Sequence, residues 1–129
     1  MQTRHFLHHV EVFASDYAAS EAFYTAALAT IGIEPGYTTE KGAEYWFPEQ
    51  DTPSFGLEPA ATPADVTRGA HLAFTAASRA DVEAFHRAAV GAGGTSRHEP
   101  RYWPEYHAYC AFVSDPDGNN IEALLKDDA

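Results

Sequence analysis

Three residues stand out for the chemistry they could share: His9 in HHVEVFA, His71 in GAHLAFT and Glu122 in GNNIEALL. Each sits in a short run that alternates like a strand, and each lies off that run's main aliphatic face. Ile121, Ala123 and Leu125 share one side, while Asn120, Glu122 and Leu124 share the other. In the first run Val10 and Val12 oppose His9, Glu11 and Phe13; in the second Leu72 and Phe74 oppose His71, Ala73 and Thr75. A carboxylate in an apolar strand must be solvated, paired or bound to a cation, because burying a bare charge is too costly. Two imidazoles and one carboxylate make a facial set that leaves coordination positions open for water, substrate or oxygen. Glu11 shares the face of His9, either as a general base or as an exposed residue at the rim.

The elements that must position these residues come from an internal repeat. HVEVFASDYAASEAFYTAALATIG (9–32) lies over HLAFTAASRADVEAFHRAAVGAGG (71–94) without a gap, matching His9 with His71, Glu21-Ala22-Phe23 with Glu83-Ala84-Phe85, and Gly32 with Gly94. Each copy opens with a strand and runs into a helix. Asp16 is the expected cap of the first helix and Ser78 of the second, with Asp81 at the capping-box position and Gly93-Gly94 as the stop. Short β-rich runs follow: EPGYTT, AEYWFPE and PSFGLEP in the first copy, SRHEPRYW, HAYCAFV and NNIEALL in the second. The expectation is one α+β domain of two βαβββ modules, about 1–60 and 69–129, joined by the Pro-rich PAATPADVTRG. If helices cover the aliphatic faces, the faces of His9, His71 and Glu122 line a concave sheet, where pseudo-twofold symmetry could bring the two histidines to one point.

Composition narrows the partners. The 129 residues suffice for one ordinary core, and a formal charge of −11 disfavours both the nucleic-acid backbone and anionic membrane surfaces. The single cysteine, Cys110, can form no internal disulfide. The N-terminus lacks a signal-peptide layout and no run approaches a membrane span, which together predict a cytoplasmic, soluble protein. In RYWPEYHAYC, Tyr102, Trp103, Tyr106, His107 and Tyr109 could wall a pocket, with His107 or Tyr109 as proton-transfer groups, or could serve as aromatic core. No phosphate loop, nucleophile elbow or CxxC pair is present.

In HHVEVFASD with EAFYTAAL, GAHLAF with VEAFHRAAVGAGG, and above all DPDGNNIE, the chain resembles the vicinal oxygen chelate superfamily of glyoxalases, extradiol dioxygenases and bleomycin-resistance proteins. The resemblance implies paired βαβββ modules forming a cupped mixed β-sheet. It also implies one divalent metal ion (Zn, Ni, Co, Mn or Fe(II)) on His9, His71 and Glu122. Glyoxalase I adds a glutamate ligand from the first module's last strand. Gly56 stands there instead, and Glu58, two residues on, is the available substitute. Phe13 replaces the arginine that contacts glutathione in that family, so the glutathione hemithioacetal is a poor substrate for this chain.

The function these features imply is a metal-dependent lyase or isomerase acting on a small oxygenated molecule. Glu122, Glu11 and His107 are its candidate catalytic groups; Phe13, Trp103 and Tyr109 are its candidate substrate contacts. An Fe(II) ion would make it a dioxygenase instead, and a protein without metal would be a drug-binding relative of bleomycin-resistance proteins. Sheet edges and aromatic surface, with the family's habit, predict a homodimer. Light scattering at micromolar concentration should give twice the 14.1 kDa chain mass; a monomer would refute the assembly.

Overall fold

The computed structural model describes residues 4–126. The first module runs β1 (His9–Ala14), α1 (Tyr17–Ala29), β2 (Glu34–Thr39), β3 (Gly42–Trp46) and β4 (Ser54–Pro59). The second runs β5 (His71–Thr75), α2 (Arg79–Gly91), β6 (Thr95–Trp103), β7 (Ala108–Ser114) and β8 (Asn120–Lys126). Both helices start where the caps foretold. The Asp16 carboxylate accepts from the Ala19 N–H at 3.1 Å, and Ser78 Oγ accepts from the Asp81 N–H at 3.1 Å. The paired glycines that end the repeats are needed for different reasons. Gly32 has a positive φ of 85°, whereas a Cβ on Gly94 would lie 2.6 Å from both Phe23 and Val113.

Each module forms its own four-stranded mixed sheet, in the orders β1-β4-β3-β2 and β5-β8-β7-β6. In both, the first strand pairs parallel with the last, and the last pairs antiparallel with the one before it. Alternation then sorts the side chains. Val12, Ala14, Phe55 and Leu57 of the first sheet join Ala111, Val113, Ile121 and Ala123 of the second in one buried cluster, together with Phe23, Tyr24, Leu28, Val82 and Phe85 of the helices. The modules therefore share a core, and Phe55 meets Phe74 edge to face across it, ring centres 5.5 Å apart. The opposite face of each sheet looks away from that core. No helix among the described residues is long and apolar enough to cross a membrane.

DPDGNN proves to be the stitch between the modules. Asp115, 4% exposed, accepts from the Tyr24 hydroxyl at 2.5 Å and from the Asp117 and Asn119 N–H groups at 2.9 Å each. Asn119, fully buried, donates to the Thr67 carbonyl at 2.9 Å and accepts from the Ala70 N–H at 3.0 Å, which ties the linker to the same turn. Gly118 supplies the positive φ of 89° that the turn requires. Burial and the neighbouring Asp115 carboxylate push the Tyr24 pKa upward, so this hydroxyl stays a donor at every pH the fold survives. Tyr24→Phe removes one donor from a buried carboxylate and should cost roughly 1.5–3 kcal/mol. A thermal melt should show the midpoint falling by about 5–10 °C; an unchanged midpoint would mean the clamp is not energetically important.

Candidate functional site

On the outward face of the second sheet, β5 and β8 run side by side with His71 opposite Asn120 and Ala73 opposite Glu122. That register sets His71 and Glu122 diagonally on one face, and His71 Nε2 lies 2.8 Å from Glu122 Oε1. Glu122 is 5% exposed, while the imidazole is about half open to solvent. The buried Cys110 thiol of β7 donates to the Glu122 carboxylate; burial first, then that contact, pushes its pKa up to about 12 and keeps it a thiol. Above the pair opens a cavity of about 500 Å³, with Phe112 and Leu124 as its apolar sides. Tyr106 and His107, from the turn before β7, form part of the wall, and His107 adopts a left-handed φ of 51°. Lys126, on the strand face of Glu122, donates to the Tyr106 carbonyl at 2.6 Å and anchors that turn.

His9 is elsewhere. It is exposed on β1, its Nδ1 3.1 Å from Nδ1 of His8, and it lines a separate, mostly apolar cavity of about 220 Å³ with Leu7, Pro53, Ser54 and Phe74. Among the described residues, no three His, Cys, Asp or Glu side chains gather as a metal-holding group. The convergence of both histidines anticipated from pseudo-symmetry is thus not assembled within one chain. The reason is the shared core: each sheet turns its aliphatic face inward, so the two polar faces point outward from separate sheets. Glu11 and Phe13 lie on the face of His9, and Glu58 leans over Gly42, its Cγ 3.3 Å from where a Cβ there would stand.

The aromatic segment divides by strand parity. Tyr109, expected as a substrate contact, points instead toward α2: its hydroxyl donates to Glu83 at 2.7 Å, and the Arg79 guanidinium sits 4.6 Å from its ring centre. Ala108, Cys110 and Phe112 take the cavity side of that strand. Trp103 stands behind the wall, its ring 5.5 Å from that of Phe112. Trp103 Nε1 and Asn120 Oδ1, both buried, have no hydrogen-bond partner among the described residues. Cys110 and Lys126 were missed by sequence reasoning. Parity with Glu122 marks Lys126 in the sequence, but the Cys110 contact depends on the register between β7 and β8.

The pair at the cavity floor suits a divalent ion. Two cis ligands each about 2.1 Å from a metal lie roughly 3 Å apart, close to the 2.8 Å found here, and an imidazole with a carboxylate is a common donor combination.

Comparison with known proteins agrees with this architecture. The model of the Glyoxalase/Bleomycin resistance protein/Dioxygenase superfamily matches residues 6–123. A glyoxalase/bleomycin resistance protein from Albidiferax ferrireducens T118 is 35% identical, with a TM-score of 0.79 over 94% of this chain and 98% of that one. A glyoxalase-related enzyme from Fulvimarina pelagi (18%, TM-score 0.70, 95% and 88%) and a lactoylglutathione lyase from Agrobacterium tumefaciens (20%, 0.65, 96% and 96%) share the fold. No curated protein matches. With a family match spanning nearly all of its described length and a solved relative above one-third identity, the chain belongs to the Glyoxalase/Bleomycin resistance protein/Dioxygenase superfamily.

Proposed function

We propose that this protein is a metal-dependent lyase or isomerase acting on a small oxygenated molecule, with His71 and Glu122 of one chain and His9 of the partner subunit holding the ion. The observation that carries this reading is the His71–Glu122 pair at the floor of a cavity sized for a small ligand. Members of this superfamily commonly bind a divalent metal, act on small molecules and often form dimers. A second copy is the natural source of the missing imidazole. β1 and β5 are edge strands carrying His9 and His71, and Glu122 stands on β8 next to β5.

When bound, a divalent ion (Zn, Ni, Co, Mn or Fe(II)) supplies Lewis acidity to two neighbouring substrate oxygens. The protein's own groups do the rest. Cys110 would hold the Glu122 carboxylate in place from behind, while Phe112 and Leu124 keep water from that side of the ligand. His107 stands on the same wall, available to take a proton from a carbon beside the oxygens and return it. Phe13 offers nothing to a glutathione carboxylate, which favours a smaller substrate. With iron(II), the same donor set would support dioxygenase chemistry. A second reading, capture of a cationic aromatic compound, is favoured by Glu11, Glu44 and Glu58 beside Trp46 and Tyr37 on the outward face of the first sheet.

Elemental analysis of tag-free protein purified without chelators should find about one divalent metal per chain; no uptake under any loading condition would favour the binding protein. Shared sites make a sharper prediction. His9→Ala and Glu122→Ala chains, each metal-free alone, should form a mixed dimer that recovers one site of two, because one of its sites then draws both intact residues. Mixed dimers that bind no metal would place each site within a single chain or nowhere.

Glu122→Gln separates a ligand from a structural carboxylate. Without metal the variant should melt at or slightly above the wild-type temperature, because a neutral isostere escapes the cost of a buried charge. Wild type should gain stability on loading by mass action, and the variant much less. Equal metal-induced shifts in both proteins would remove Glu122 from the site.

A further inference from the structure

The outward face of the first sheet holds His9 and three carboxylates, Glu11, Glu44 and Glu58. Their surroundings distinguish them. Glu44 is engaged, accepting from Ser54 Oγ at 2.9 Å and from the Tyr37 hydroxyl at 3.2 Å. Glu58 lies opposite Phe13, four paired positions beyond the row where His9 faces Ser54, and leans toward β3 over Gly42. A step of two residues along a strand is about 6.6 Å, so Glu58 starts roughly 13 Å along the strand from His9. Glu11 starts half as far away, on the same strand and face.

Glu11 also lies directly opposite Gly56, and its side chain crosses the space above that glycine. A Cβ built on Gly56 would come within 2.9 Å of Glu11 Cγ and 3.4 Å of Glu11 Oε2. The backbone of Gly56 is ordinary strand, with no positive φ, so the glycine is needed for room and not for conformation. Two adjacent strands have thus settled which of them carries the carboxylate at this point of the sheet. Position 56 gives up its side chain, and Glu11 reaches across into the vacated space. Among the described residues Glu11 has no hydrogen-bond partner, in contrast to Glu44.

From this geometry we infer that Glu11 is a metal ligand, delivering beside His9 the first module's carboxylate from β1, across Gly56, in place of any side chain on β4. The inference rests on the two-chain metal site proposed above. It gives each complete site two imidazoles and two carboxylates: His9 and Glu11 from one subunit, His71 and Glu122 from the other. It also assigns Glu11 to holding the ion, not to proton transfer.

The test exchanges the two strands' roles. Cobalt(II) is titrated into tag-free wild type, Glu11→Ala, Glu58→Ala and the double variant Glu11→Ala/Gly56→Glu, with calorimetry for affinity and visible absorption for the ligand field. Light scattering and melting curves check that each protein remains a folded dimer. Glu11→Ala should bind cobalt at least tenfold more weakly. Glu58→Ala should match wild type, and the double variant should recover to within about threefold with a wild-type-like spectrum. Undiminished cobalt affinity in Glu11→Ala, with or without loss of turnover, would overturn the assignment. So would a folded double variant that binds no better than Glu11→Ala, or a Glu58→Ala protein that loses the metal. If folded, dimeric wild type takes up no cobalt at all, the metal site itself falls and the role of Glu11 with it, an outcome distinct from wild-type uptake that Glu11→Ala leaves unchanged.

Discussion

Two amphipathic sheets in one short chain have a single economical way to leave water, which is to bury their aliphatic faces against the same pair of helices. α1 is central to this arrangement. Phe23, Tyr24, Ala27 and Leu28 are fully buried, and Phe23 closes over Gly94 of the other module in the cluster that also holds Val113. Everything functional follows from the faces that remain. Polar residues excluded from the common core are displayed on two outward surfaces, and a site needing both must be closed by something other than this chain's own intramolecular contacts. A shared hydrophobic core thus leaves the polar positions of an internal duplication on two separate outward faces.

The polar groups that are buried have distinct tasks. Asp115 and Asn119 satisfy backbone donors and acceptors of the turn and the linker, and the protonated Tyr24 completes the set from the other module. These contacts hold the modules at a fixed relative position, which any site built on both outward faces needs. Glu122 is buried differently. Its neighbours are an imidazole half open to solvent and a thiol held neutral, so the carboxylate is oriented without a permanent cationic partner. In the proposed metal site this is the arrangement a cation would meet, since the desolvation cost of the carboxylate has been met by folding.

The acidity of the chain acquires a local meaning on the first sheet. Glu11, Glu44 and Glu58 share one face, but among the described residues only Glu44 receives side-chain hydrogen bonds there. Gly56, between Glu11 and Glu44 in the paired register, opens the space that Glu11 crosses. For the proposed metal site, a negative face next to an exposed imidazole would favour divalent ions at long range, with the fine placement set by which side chain has room to approach.

Much of this was legible in the residues themselves. The repeat foretold two βαβββ modules, Asp16 and Ser78 marked both helix starts, and alternation placed Glu122 on the face away from the aliphatic core, because these features depend on neighbours a few residues apart. The likeness of DPDGNNIE to a known family pointed to the superfamily that the comparisons establish. Local pattern was also enough to exclude Tyr109 from the cavity, since its parity is that of Ala111 and Val113; grouping it with its aromatic neighbours overrode that signal. What tertiary structure alone decided was how the outward faces relate to each other. Pseudo-symmetry in a sequence says that His9 and His71 are equivalent, but not whether their sheets curve around one point or stand apart, because that depends on how two modules bury their common apolar surface. The Cys110 contact to Glu122 and the reach of Glu11 over Gly56 have the same origin: strand register and side-chain room join residues that no local spacing connects.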